Sequence, residues 1–202
     1  MAKSGPRKQS VGGDELRSRL IDATVTVLAR EGFAHTSARA VAQEAGTVNG
    51  SIFYYFGSMD ALLAATASAL ADRGIARIRE GLGGDRAHVE WPSRLGAVMR
   101  AEAEGDDGLA VMELFVGART SPALAAEVRA AIDRAIDYAS AELEVVLGSS
   151  PLTQVIPVPL AAELAAAAFL GAEVLAQNGR VLDLDRLASA IAAGIRLIGV
   201  TR

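Results

Sequence analysis

Residues 36–60, TSARAVAQEAGTVNGSIFYYFGSMD, set hydroxyls at Thr36, Ser37, Thr47, Ser51, Tyr54 and Tyr55, a carboxamide at Asn49 and a guanidinium at Arg39 along one short run. These groups donate and accept hydrogen bonds. They contain no nucleophile–base pair and no metal-ligand spacing. The whole chain lacks cysteine, which excludes disulfides, thiolate metal sites and cysteine nucleophiles. Its two histidines, His35 and His88, are too few for a histidine-rich metal centre, and its carboxylates are scattered in the manner of solvated helix faces. No catalytic residue, metal or cofactor is expected. The run reads instead as two short helices around a tight turn, followed by an aromatic segment at the start of a longer helix. It is too small and too flat for an active-site cleft. It has the size to lay one helix in the major groove of DNA, about 12 Å wide.

The balance of charge at first opposes that reading, since the net charge is -4. The distribution decides the matter. Residues 1–60 hold seven Lys/Arg against six Asp/Glu, residues 61–202 hold thirteen against eighteen, and the first thirteen residues alone are +3. The acidic excess therefore sits away from the candidate DNA-contacting end. The chain is 202 residues long and 51% hydrophobic, enough for a substantial core and too apolar for general disorder. The longest apolar candidate for a membrane span, 164–171, lies between Glu163 and Glu173 and falls short of about 18 residues. Lys3, Arg7 and Lys8 are not followed by the apolar core of a signal peptide. A soluble cytoplasmic protein with no membrane partner is expected.

Around the recognition run the pattern is helical throughout, and the expected fold class is all-α. Residues 1–13 read as a basic, disordered arm, either a solvated tail or a segment in which Lys3, Arg7 and Lys8 settle on DNA phosphates. From Asp14 to Arg30, Leu16, Leu20, Ala23 and Val27 recur at helical spacing, with Ile21, Val25 and Leu28 widening the stripe. Gly32 ends that helix. Thr36 or Ser37 caps the next one, whose buried face is Ala38, Val41 and Ala42. Ala45-Gly46 makes the turn, a short helix spans about 47–54, and Ser58 caps a long helix from Met59 to about Glu80. Further helices are expected near 91–104, 108–119, 122–147, 160–178 and 183–199, with a Pro-rich connection at 148–159. The expected division is a basic arm (1–13), a helix-turn-helix unit (14–58) and a larger helical domain (59–202).

In the larger domain, small and branched side chains line up on the last two helices. Leu164, Ala168, Gly171 and Leu175 on one, and Leu187, Ile191 and Ile195 on the other, suit either an intrachain core or a four-helix interface in a symmetric pair. Trp91, Met99, Met112, Phe115 and Phe169 are candidate lining for an apolar ligand pocket, although each also suits ordinary packing. Glu113 can orient a ligand there, and Arg119 can tie down a helix end.

Residues 14–63 resemble the DNA-binding domain of the TetR (tetracycline-repressor-like) family. The resemblance rests on Ala23, Gly32-Phe33, Thr36-Ser37, Arg39, Val41-Ala42, Ala45-Gly46, Gly50-Ser51-Ile52-Phe53, Phe56, Ser58 and Leu62-Leu63, an ungapped run from Thr36 to Leu63. It implies a three-helix DNA-binding domain joined by a fourth helix to an α-helical ligand-binding and dimerisation domain. The implied function is that of a homodimeric transcriptional regulator, usually a repressor, that leaves a palindromic operator on double-stranded DNA when a small-molecule effector binds. The effector would tilt the connecting helix, residues 59–80. By the same resemblance, Thr36, Ser37 and Arg39 face phosphates, while Thr47, Val48, Asn49 and Ser51 face base edges. Asn49 would pair with adenine and Val48 would meet a thymine methyl. Tyr54 and Tyr55 would contact bases or phosphates, and Phe56 and Ile52 belong to the core. This chain departs from the pattern at Phe53, where a tyrosine is usual, at Asn49 and Met59, where lysines are common, and at Val48, where a serine would cap the helix. Thr47 is expected to take over as cap and the basic arm to supply the missing charge. The competing functions are an all-α enzyme and a helical small-molecule-binding protein without DNA binding. The scattered carboxylates and the two histidines argue against the first, and Asn49 beside Tyr54 and Tyr55 on an outer face argues against the second.

Overall fold

The computed structural model describes residues 11–82, 94, 97, 105–147, 151–154 and 156–180, and the single positions 182, 183, 186, 189, 190 and 193. Among these residues every regular element is helical. They form α1 (Val11–Glu31), α2 (Ala38–Glu44), α3 (Asn49–Phe56), α4 (Met59–Leu82), α5 (Asp106–Ala118), α6 (Pro122–Leu147) and α7 (Val158–Gln177), with 3-10 turns at Phe33–His35 and Pro151–Gln154. The helices expected near 91–104 and 183–199 fall almost wholly outside the described residues, as do Lys3, Arg7 and Lys8 of the basic arm.

The stripe read from α1 is the one that is buried: Leu20, Val27 and Leu28 are fully enclosed, with Ile21, Ala23 and Val25 beside them. Thr24 lies within that stripe because its hydroxyl donates to the Leu20 carbonyl at 2.7 Å, which satisfies the one polar atom there. α1 begins at Val11, so the last residues of the expected arm are helical. Gly32 ends the helix with φ 78 and Gly46 turns the chain after α2 with φ 63. Val41, Ala42 and Ile52 then close α2 and α3 onto Leu20, Val27 and Leu62.

α4 joins two cores. Ser58 accepts a hydrogen bond from the Ala61 N–H at 3.1 Å and so caps it, as its position suggested. Leu62 packs into the amino-terminal core, whereas Leu63, Ala67 and Leu70 pack with Leu114, Leu124 and Val128 of α5 and α6. Successive helical residues point about 100° apart, so one helix can serve both sides.

α7 runs longer than the apolar stretch at 164–171 suggested. Its residues are long and apolar enough, by length and composition, to cross a membrane, with a mean hydropathy of 1.7. Glu163 and Glu173 do not bound it: both lie within the helix, and Glu173 is buried at 4% exposure. α7 packs along α6 through Val158 and Ala162, and its opposite face leaves Leu160, Leu164 and Val174 exposed.

Candidate nucleic-acid interface and ligand cavity

α3 turns an apolar residue inward and a recognition-competent tip outward. Ile52 is fully buried, while Val48 is 71% exposed and Tyr54 80%. Asn49 and Gly50 are also exposed. A Cβ added at Gly50 would meet nothing, so a partner's backbone can come close there. Val48 is the N-cap residue, in extended conformation, and offers no capping side chain. Thr47 does not replace the missing cap. Its hydroxyl meets the Ser51 hydroxyl at 2.9 Å instead of a backbone N–H. The two expected tyrosine contacts also differ. Tyr55 is half-buried against the amino-terminal core, and its ring meets that of Tyr54 edge-on with centroids 4.9 Å apart. Tyr55 therefore buttresses Tyr54. Phe56 belongs to the core side, as expected, with the Arg17 guanidinium 5.0 Å above its ring.

At α2 the two hydroxyls divide their tasks. Ser37 is the N-cap and accepts from the Ala40 N–H at 3.2 Å, so its own proton can be donated outward. The Thr36 hydroxyl donates to the Gly32 carbonyl at 2.8 Å, so its proton is turned inward in this arrangement. Arg39 is exposed in the first turn. Other cations of this unit serve structure. Arg30 bridges to Glu44 at 2.9 Å, and Arg19 donates to the Ala45 carbonyl.

Behind this unit, α4, α5, α6 and α7 enclose a cavity of about 270 Å³. Leu70, Ile78, Val111, Phe115, Ile132 and Phe169 are among the apolar side chains of its wall. Gly74 leaves open space where a side chain would stand. Polar groups are few: Arg77 bound to Asp107 at 2.8 Å, Glu142, the buried Glu173, and Tyr138. The Tyr138 hydroxyl is buried and makes no hydrogen bond among the described residues. Burial, reinforced by the charge of Glu142, raises its pKa above the ordinary tyrosine value, so it stays a donor.

Of the expected pocket residues, Phe115 and Phe169 line the cavity, Met112 and Glu113 do not, and Trp91 and Met99 lie outside the described residues. Glu113 points to the other side of α5, where its carboxylate accepts the Phe33 N–H at 2.7 Å. Sequence reasoning missed Ile132, Tyr138 and Glu142. Their signal was the inward row Val128, Ala131, Ala135 and Ala139 on α6, whose small side chains leave a void. Of the expected pairing residues, Leu164, Ala168 and Gly171 lie exposed on α7 and Leu175 is half-buried, while Leu187, Ile191 and Ile195 lie outside the described residues.

A helix-turn-helix unit with an exposed second helix, joined to a cavity-bearing helical bundle, defines the class of DNA-binding transcription regulators with a ligand-binding domain. Residues 20–76 match the family model of bacterial regulatory proteins, tetR family, which spans the helix-turn-helix unit and most of α4. No curated protein matches it in sequence. Among solved structures it is similar to a transcriptional regulator from Rhodococcus sp. Rha1, at TM-score 0.69 and 24% identity over 90% of this chain and 95% of that one. It is similar to the multidrug binding protein EbrR complexed with imidazole, at 0.63 and 24% over 98% and 97%. A further likeness is to a transcriptional regulator from Saccharomonospora viridis in complex with choline, at 0.69 and 18% over 91% and 96%. These likenesses show that the fold extends over the cavity-bearing bundle.

Proposed function

We propose that the protein is a cytoplasmic transcriptional repressor, without enzymatic activity, that binds a palindromic operator as a homodimer and releases it when a small molecule enters the cavity. The observation that carries this reading is the tip of α3. Val48 and Tyr54 are large, exposed side chains beside Asn49 on a unit whose inner face is fully packed. A purely structural helix has no use for such a face, whereas a major groove has. Asn49 pairs with adenine, Val48 meets a thymine methyl, Thr47 and Ser51 reach base edges, and Tyr54 contacts bases or phosphates. Ser37 and Arg39 hold phosphate from the start of α2.

Pairing along the exposed Leu164, Ala168 and Gly171 of α7 would set two α3 helices about 34–36 Å apart, one turn of DNA. The effector is a compact, largely apolar molecule, since the cavity of about 270 Å³ offers mostly aliphatic and aromatic wall. The imidazole and choline held by the EbrR and Saccharomonospora structures make nitrogenous compounds the first class to screen.

A gel shift with DNA flanking the chain's own gene, run beside Asn49→Ala, tests the DNA reading. Sequence-selective retention by the native chain and its loss in the variant are expected. Sedimentation tests the pair. A monomer with no preference among duplexes overturns the proposal.

A further inference from the structure

The outward face of α3 has a composition that narrows the base pairs it can tell apart. Ile52 faces inward, and residues three and four apart share a helical face, so Gly50, Phe53 and Tyr54 stand together on the outside. Phe53 is 52% exposed, and Val48 and Asn49 are exposed where the helix begins. The backbone at Gly50 is open, with the two aromatic side chains one turn further on. No residue of α3 carries a charge, and the chain has no Lys or Arg between Arg39 and Arg73.

Each base pair shows the major groove its own pattern. Guanine offers the O6 and N7 acceptors that an Arg or Lys takes together, and cytosine offers an amino donor that Asp or Glu accepts. α3 has neither kind of side chain. Adenine offers N7 beside an amino group, which the Asn49 carboxamide matches as donor and acceptor at once. Thymine offers a 5-methyl group, which needs only an apolar contact, and Val48, Phe53 and the Tyr54 ring are all placed to give one. The hydroxyls do not alter this balance. Those of Thr47 and Ser51 are paired at 2.9 Å, and a single hydroxyl donor meets the N7 of either purine alike.

We infer that α3 selects A·T pairs alone, chiefly through thymine 5-methyl groups, and that Phe53 is a specificity-determining residue beside Val48. Guanine elsewhere in a half-site falls to cations off α3, of which Arg39, exposed in the first turn of α2, is the nearest in the chain. This rests on the function proposed above and specifies the chemistry of its DNA partner. 5-Methylcytosine carries the same methyl at the same place, so it is accepted better than cytosine where thymine belongs.

The test uses the full chain and a duplex selected from a random library, with a scrambled duplex as control. If the native chain does not distinguish the two, the function reading itself fails, and the base selectivity with it. If it does, the steps under α3 are those at which a repeated selection with Asn49→Ala or Phe53→Ala relaxes the base preference. They should be A·T pairs. Deoxyuridine in place of each thymine in turn removes one methyl group and nothing else. At the steps under α3 it should weaken binding about fourfold, the equivalent of one buried aliphatic carbon. The loss should shrink in Val48→Ala or Phe53→Ala, whose contact is already gone. Cytosine at those thymine positions, paired with guanine, should weaken binding further, and 5-methylcytosine should recover part of the loss. Folding of each variant is checked by circular dichroism. The uracil and methylcytosine duplexes use the native chain, so they decide the matter if a variant does not fold. The selectivity is overturned by G·C pairs at the steps under α3, or by a uracil series in which no substitution weakens binding more than twofold. A uracil loss undiminished in both variants, or 5-methylcytosine bound no better than cytosine, would overturn it equally.

Discussion

The two halves of the molecule use apolar residues in opposite ways. Around α1 to α3 the interior is filled, with Leu20, Val27, Val41, Ile52 and Leu62 wholly enclosed, and the side chains proposed to meet DNA, Val48, Asn49 and Tyr54, stand on the outside. Around α5 to α7 the interior is left partly empty, with alanines at 131, 135 and 139 where larger residues would close the cavity. A surface that must hold side chains at fixed offsets against DNA needs a rigid support. A chamber that must admit a ligand needs the reverse. α4 belongs to both, with Leu62 in one core and Leu63 in the other.

Four measurements can break or sharpen this contrast. Ile52→Ala removes a fully enclosed side chain from the filled half and should cost about 2–5 kcal/mol, read from urea denaturation. A loss well under 1 kcal/mol would mean that this core is as accommodating as the other. At the exposed tip, Asn49→Ala and Tyr54→Ala should each weaken operator binding by about 1–3 kcal/mol. Their unfolding free energy should stay within about 0.5 kcal/mol of the native chain. A stability loss matching the binding loss would return these side chains to a structural role.

In the emptier half, Ala139→Leu should change stability by less than about 1 kcal/mol, where overpacking a filled core costs about 1–3 kcal/mol. It should also abolish the thermal shift produced by whatever nitrogenous compound stabilises the native chain, and a retained shift would move the ligand elsewhere. The smallest expected effect concerns charge. Deleting residues 2–9, which removes Lys3, Arg7 and Lys8, should flatten the salt dependence of operator binding, its slope falling by about 0.9 for each phosphate no longer neutralised. An unchanged slope would take the arm out of recognition.

The contrast also explains what could be read from the chain unaided. In the filled half, burial follows periodicity, so the stripe on α1, the Gly32 and Gly46 turns and the Ser58 cap were all legible. Cap chemistry at α3 was not, because the Thr47 hydroxyl pairs with the Ser51 hydroxyl four residues on and not with a backbone N–H. Nor was the unequal burial of Tyr54 and Tyr55, since neighbours on a helix differ by direction and not by type. In the emptier half, a cavity is a property of several helices meeting, so the small-residue row on α6 marks Tyr138 and Glu142 only once the facing helices are in place. Glu113 looked like a ligand contact because it stands among apolar neighbours. Its partner, the Phe33 N–H, is distant in sequence. Gly117 was the one available hint, a glycine inside a helical run marking close approach of another chain segment.

In the pair proposed above, the oily outer ridge of α7 would tie regulation to gene dosage. If copies must associate along Leu160, Leu164 and Val174 before the operator can be gripped, the competent species grows with the square of the protein's abundance while association is weak. Halving expression would then quarter occupancy at low levels, and a shallow change in synthesis would be read out as a steep change in transcription.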